Sequence, residues 1–517
     1  WDYDEVGTHI LFDATINGQT QRLVTHSARN GFVYTMQRAN GQMVFAKPYV
    51  SNINWTAGID QKTGKPVDYN PAADLQTYAE DARANEDKFR RKVCPDVAGG
   101  NNYWVPSYSR KTGLVYIPSL EGCADLTPDH TAHVPGKFAG GTYSHPDRIT
   151  SSLVVMDPAT GKQVWRTYII NDTPKPTKKN TKGVQLYAPS GGALWAAPTI
   201  DEGRKSIYLG TGDAYSRPVS SGNTDSVMAL DLDTGKVKWS VQHTPNDAWL
   251  VGCETNSPSE NCPSDIGPDW DFGSSSIMRS LPGGRTIVIS GQKGGDVFAQ
   301  DVTNGAVVWK ATLVEKLARG EITFGGAADA TQAYFGTRSG AVWALDLATG
   351  AKKWSTPIAP IPQRQSGQTA ALTVIPGVVF SGGSDGVLRA FDTTSGKQVW
   401  QFDTMTDFTT TNGVAGKGGA MGAPGPTIAG GMVVVGSGYT GLGNGRGGNV
   451  LLDTRCLFYN QTAFWRGALG HCLKAEGTWC HVVGGPKTCV ATQSSDTVPV
   501  LLAMDAQLEL LGPEGAR

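Results

Sequence analysis

Five stretches of this chain share one phrase, an Asp, then Gly four residues on, then Trp four further: Asp157-Gly161-Trp165, Asp231-Gly235-Trp239, Asp301-Gly305-Trp309, Asp346-Gly350-Trp354 and Asp392-Gly396-Trp400. A degenerate sixth copy is Gln37-Gly41-Phe45. Each follows a strand-like run such as "SIYLGTG", "TIVISGQ" or "AYFGTRSG". The spacing describes a hairpin. Gly takes a positive-φ turn position, the Asp and Thr side chains bond the turn's own backbone, and the returning strand ends in a Trp that packs on a neighbouring unit.

A four-stranded unit of this kind cannot bury both faces alone, so the units must stack, and radial closure removes most free sheet edges. The repeats therefore predict an all-β chain, a β-propeller of about 7–8 four-stranded blades. The late Trp-to-Trp steps, 309 to 354 to 400, are one blade long. Longer steps earlier in the chain predict insertions that cap one end of the blades. Composition agrees: 517 residues with Gly 65, Pro 29, Trp 14 and only 18% charged residues suit many short strands and turns rather than one large core or a disordered chain.

A net charge of −1 and a pI near 6.8 supply no basic field for nucleic acid or an anionic membrane surface. No apolar run approaches the roughly 20 residues that span a bilayer. No charged-then-apolar leader opens the sequence, which starts at Trp1; the expectation is a removed leader or a fragment.

A second repetition concerns chemistry. "WDYDEVG" opens the chain and "DWDFGSSSIM" recurs at 269–278. With the Trp repeats, these phrases resemble the pyrroloquinoline-quinone (PQQ) alcohol dehydrogenases, periplasmic propellers that oxidise alcohols, over roughly residues 1–452. Residues 1–165, through "THSARNGFVYTMQRANG" and "WTAGIDQKTGKPV", look like methanol and ethanol dehydrogenases. Residues 166–452, through "PSGGALWAAPTIDEGRKSIYLGTGDAYS" and "GQKGGDVFAQD", look like polyvinyl-alcohol-dehydrogenase-type quinoproteins.

The resemblance implies roles. Asp271, and Asp2 in the first copy, match the family's general base, which takes the alcohol's proton as hydride passes to the quinone; a buried carboxylate beside a cation suits that task. Trp195 matches the indole that floors the quinone. Asp213 stands where the family has a metal-coordinating Asn, and its oxygen suits a hard cation such as Ca²⁺; Asp271 would share that ion. Asp4 matches an extra acidic ligand that marks lanthanide-using members. Lys293 aligns with Arg29, the family's cation near the quinone oxygens, where positive charge would stabilise the reduced cofactor. One family element is missing: the metal-binding Glu expected ahead of the Asp157 repeat is absent, and Asp147 is the carboxylate in that segment.

Cys94 and Cys123 match the structural disulfide of the methanol enzymes, and Cys253 and Cys262 are spaced to close a short local loop. Such pairs imply an oxidising, periplasmic setting. The haem-attachment phrase CxxCH is absent, so electrons would leave to a separate acceptor such as a soluble cytochrome c. Residues 453–517 carry Cys456, Cys472, Cys480 and Cys489 and no blade repeat; they are expected outside the propeller, as a poorly ordered or artefactual tail. The leading reading is PQQ- and Ca²⁺- or lanthanide-dependent oxidation of a small or polymeric alcohol. Two others stay open: a non-catalytic propeller used as an interaction scaffold, and an inactive chimeric fragment.

Overall fold

A computed structural model describes residues 3, 7–73, 76, 90–128, 141–144, 149–181, 183–220, 222–254, 260–314, 320–411, 413–429, 431–439, 446–455 and 490–493. Among these residues there are strands and turns and no helix, and no helix is long and apolar enough to cross a membrane. Seven four-stranded antiparallel sheets form the blades, at the lower end of the expected number. They span residues 9–48 (blade 1), 107–168 (blade 2), 199–242 (blade 3), 277–312 (blade 4), 327–357 (blade 5), 373–403 (blade 6) and 427–493 (blade 7). The chain divides into two compact units. The first holds Trp1–Ser276 with Val302–Ala306, and the second Ile277–Asp301 with Val307–Arg517.

The repeated phrase records a single contact. The Trp indole N–H of one blade donates to a carbonyl in the next repeat: Trp165 to Leu232 O (3.2 Å), Trp239 to Val302 O (3.0 Å), Trp309 to Leu347 O (2.9 Å) and Trp354 to Thr393 O (2.9 Å). The ring then lies on the repeat's Gly. A Cβ on Gly350 would sit 2.6 Å from Trp309, and its φ of +71° independently requires glycine. The repeat's Asp caps the same turn: Asp231 Oδ1 accepts the Thr234 N–H at 3.0 Å and the Thr234 hydroxyl at 2.8 Å. Inter-blade cores fill behind these contacts, as where Tyr116, Leu153 and Trp165 meet Ile207, Met228 and Leu230.

Blade 2 is interrupted. Its second and third strands, Leu114–Glu121 and Thr150–Met156, pair with each other across an excursion that contributes to a separate three-stranded sheet of Arg90–Val93, Ala124–Pro128 and Gly141–Ser144. The Cys94–Cys123 disulfide ties that sheet's first crossing. A second insertion, the hairpin Lys175–Lys179 and Gln185–Ala188, leads into blade 3. In the C-terminal segment expected outside the blades, Val490–Gln493 pairs with Val450–Arg455 as the fourth strand of blade 7; residues 456–489 and 494–517, with all four tail cysteines, lie outside the described residues.

Candidate metal and cofactor site

Three crossing segments of the first unit build the site, and their glycines explain why they can cross. "GTGD" leads from Gly210, the last residue of the second strand of blade 3, to Asp213. A Cβ on Gly210 would meet Phe272, and one on Gly212 would meet the Asp271 carboxylate, so the 269–273 segment lies directly across this strand end. Phe272 N–H donates to Thr211 O (3.2 Å) and Asp213 N–H to Asp271 Oδ1 (2.7 Å). The "SGGALW" segment closes the other side: Gly192 N–H donates to Asp213 O (2.7 Å) and Gly212 N–H to Ala193 O (2.8 Å). Gly191 has a φ of +107° and no space for a Cβ against the 213–215 backbone.

The result is a cluster of three carboxylates. Asp213, Asp269 and Asp271 are 2%, 5% and 6% exposed, and each offers an oxygen within 4.8 Å of the others. Three like charges gathered away from water repel unless a cation is shared among them. An all-oxygen, carboxylate-rich set suits a hard ion such as Ca²⁺ or a trivalent ion rather than a soft transition metal. The donor chemistry therefore fits a metal.

Asp269 is the member that sequence reasoning missed. Its signal was its place two residues before the base candidate, in Asp269-Trp270-Asp271. Asp269 adopts a φ of +64°, a strained setting for a non-glycine residue. Asp247, 1% exposed, holds it there: its carboxylate accepts the Asp269 N–H (3.3 Å) and the Trp270 N–H (2.9 Å), and Gly267 leaves room for that carboxylate.

Trp195 is brought to the same place. Its ring packs on Gly273, where a Cβ would collide with it, and Tyr103 meets it edge-on at 6.5 Å and 85°. Tyr215, two residues beyond Asp213, is partly exposed, yet its phenol end is enclosed. Burial pushes its pKa well up, and the charges of Asp213 and Asp271 push the same way.

Arg29 follows the second strand of blade 1 and its guanidinium donates to Val97 O at 2.7 Å. Lys293, 8% exposed, belongs to the second unit. Asp2, Asp4 and Asp147 lie outside the described residues. Both expected disulfides are formed, Cys94–Cys123 and Cys253–Cys262.

Comparison with known proteins gives the family. A family model described as glucose/ethanol/alcohol dehydrogenase, beta-propeller domain, matches residues 154–259, and one described as outer membrane protein assembly factor BamB matches residues 293–455. A polyvinylalcohol dehydrogenase from Sphingopyxis sp. is 36% identical over 86% of this chain and 67% of its own length. The chain belongs to the PQQ-dependent alcohol dehydrogenase family. A second polyvinylalcohol dehydrogenase of this family, from Pseudomonas sp., is 39% identical over 59% of the chain, which spans 51% of that relative's length. A lanthanide-dependent methanol dehydrogenase from Methylorubrum extorquens is 28% identical over 43% of the chain and 34% of its own length. These relatives connect the family to PQQ, alcohols and a metal ion.

Proposed function

We propose that this chain oxidises an alcohol at a PQQ and metal site built on Asp213, Asp269, Asp271 and Trp195 of the first unit. The observation that carries the reading is the buried carboxylate triplet, with a partly buried indole beside it. PQQ, when bound, supplies the hydride acceptor, and a Ca²⁺ or lanthanide ion supplies positive charge against its oxygens. Asp213, Asp269 and Asp271 would hold the ion, and Trp195, backed by Gly273, would present its flat face to the quinone. Asp271 is the proposed general base. Its Oδ1 accepts the Asp213 N–H, and Oδ2 would take the hydroxyl proton while the carbinol hydrogen leaves as hydride. Asp269 supplies the acidic oxygen that the family's missing Glu would have given.

Names of the relatives support an alcohol carried on a secondary, polymeric chain. Two closed disulfides support an exported, periplasmic setting, and a soluble cytochrome c is the proposed electron acceptor. Lys293 belongs to the second unit, and the proposed site is built from the first alone.

Reconstitution with PQQ and Ca²⁺, followed by dye reduction with an alcohol panel, tests the reading. The expected result is metal-dependent dye reduction that Asp271→Asn abolishes while the quinone still binds. Unchanged turnover in that variant would remove Asp271 from the base role, and no quinone binding with any metal would favour a scaffold.

A further inference from the structure

A cavity of about 380 Å³ opens in the first unit, within the range of small-ligand pockets. Neither Trp195 nor any of the three clustered carboxylates lines it. Ile149 and Tyr215 stand on the boundary, because both line the cavity and both pack with Trp195 in one apolar cluster. The cavity therefore adjoins the proposed quinone and metal site without sharing its ligands.

Two insertions between blades supply much of the lining. One is the hairpin of Lys175–Lys179 and Gln185–Ala188, the other the loop closed by Cys253–Cys262. Side chains strap them together, Asn180 Nδ2 to Asn261 Oδ1 at 3.3 Å and the Thr181 hydroxyl to Glu260 at 2.8 Å.

Charge decides what fits. Lys178 and Arg217 line the cavity, and no described lining residue carries a carboxylate. Both cations are held by carbonyls: Lys178 Nζ donates to Cys262 O (3.2 Å), and Arg217 donates from Nε to Asp265 O (2.7 Å) and from Nη2 to Asn246 O (2.9 Å). A carbonyl fixes a cation without neutralising it. Arg217 also lies 3.7 Å from Asp265 Oδ2, but that carboxylate is 84% exposed, and a solvated pair of this kind offsets little charge. On the side facing the triplet, burial and the charges of Asp213 and Asp271 keep the Tyr215 phenol protonated and neutral.

A neutral ligand would strip water from the two cations and return no opposite charge. A carboxylate matches both the guanidinium fork and the ammonium. Ile149, Leu186 and Leu250 add aliphatic surface that suits methylene groups. Going beyond the alcohol-oxidation reading, we infer that this cavity is an organic-acid site, separate from the quinone site, in which Lys178 and Arg217 hold the two carboxylates of a short aliphatic dicarboxylate.

The test is calorimetric titration of glutarate, and of glutaramide as the uncharged molecule of equal length, into the purified full chain without PQQ. Lys178→Gln and Arg217→Gln each remove one charge, so a folding failure in one variant does not decide the matter; far-ultraviolet dichroism and Ca²⁺ affinity serve as fold controls. The expected result is saturable glutarate binding at least tenfold tighter than that of glutaramide, weakened tenfold or more in each folded variant, kept in Lys178→Arg, and unchanged when PQQ is added. Equal binding of the acid and the amide, or wild-type affinity in both Gln variants, would overturn the inference. Displacement of glutarate by PQQ would overturn it too, by assigning the two cations to the quinone. Dye reduction in the PQQ-loaded protein is read separately: glutarate binding without dye reduction by any alcohol would uphold the acid site and reject the proposed oxidation.

Discussion

Blades 5 and 6 in the second unit and blades 2 and 3 in the first use the same docking contact, yet the carboxylate triplet found among the described residues lies in the first unit. Between blades 5 and 6 the Trp354 ring sits on Gly396, and an apolar core of Tyr334, Val342, Leu372 and Phe391 fills behind it. Around blade 3 the same hairpin logic is kept at Trp165 and Gly235, but the strand ends opposite the turn have become Asp213, Gly191 and the 267–273 crossing. The difference teaches that repeats provide stability, while chemistry sits where the repeat is broken. The sharpest break is the strained Asp269 held by Asp247, a conformation that the blades do not need.

Variants that separate these two tasks follow, largest effect first. Asp271→Asn should lower kcat about 10²–10⁴-fold, the usual span for loss of a general base, with thermal unfolding nearly unchanged; stopped-flow dye reduction checks it. Asp269→Ala should weaken Ca²⁺ or lanthanide binding by roughly 10–100-fold, and Asp247→Ala should do the same more mildly by freeing the turn that presents Asp269; metal titration against a chelator reads both. Gly350→Ala, in the second unit, reverses the pattern. It forces a side chain onto Trp309 at positive φ and should cost roughly 1–3 kcal/mol of stability, seen in denaturant unfolding, while metal affinity stays at the wild-type value. If Gly350→Ala weakened metal binding as much as Asp269→Ala, the division of labour would fail.

The smallest effect concerns acid. The Thr234 side-chain hydrogen bond lowers the Asp231 pKa from its ordinary 3.8, burial opposes this, and the Thr234 N–H and Lys238 add to the lowering. A depressed folded pKa gives stability that is present above the unfolded value and lost as pH falls through the folded one. Asp231→Ala should therefore cost roughly 1 kcal/mol at neutral pH, and the difference from wild type should shrink as pH falls below the ordinary 3.8 and through the lowered folded value. A difference that persists unchanged in strong acid would contradict the turn-capping account.

Much of this was legible in the sequence, for reasons that differ by residue. The docking turns could be read because Asp, Gly and Trp answer one contact at one spacing, repeated often enough to exclude chance. Asp213, Asp271 and Trp195 were legible through family resemblance, and the structure gathers them. Asp269 and Asp247 were not singled out, since a carboxylate beside proline or before alanine looks like any turn residue until its backbone partners are known. The three-stranded excursion inside blade 2 was legible only as extra length, because its strands are short and pair across a gap of some 30 residues. The cavity was invisible to sequence: its walls come from two separate insertions that meet through hydrogen bonds without a shared motif.

The most direct test of the account is terbium titration of the purified chain, reading luminescence sensitised by indole excitation, since Trp270 lies between two of the proposed ligands. The account predicts one saturable site, displaced by Ca²⁺ and lost in both Asp213→Ala and Asp271→Ala. A titration without saturation, or a site that survives both substitutions, would contradict the claim that the triplet holds a metal.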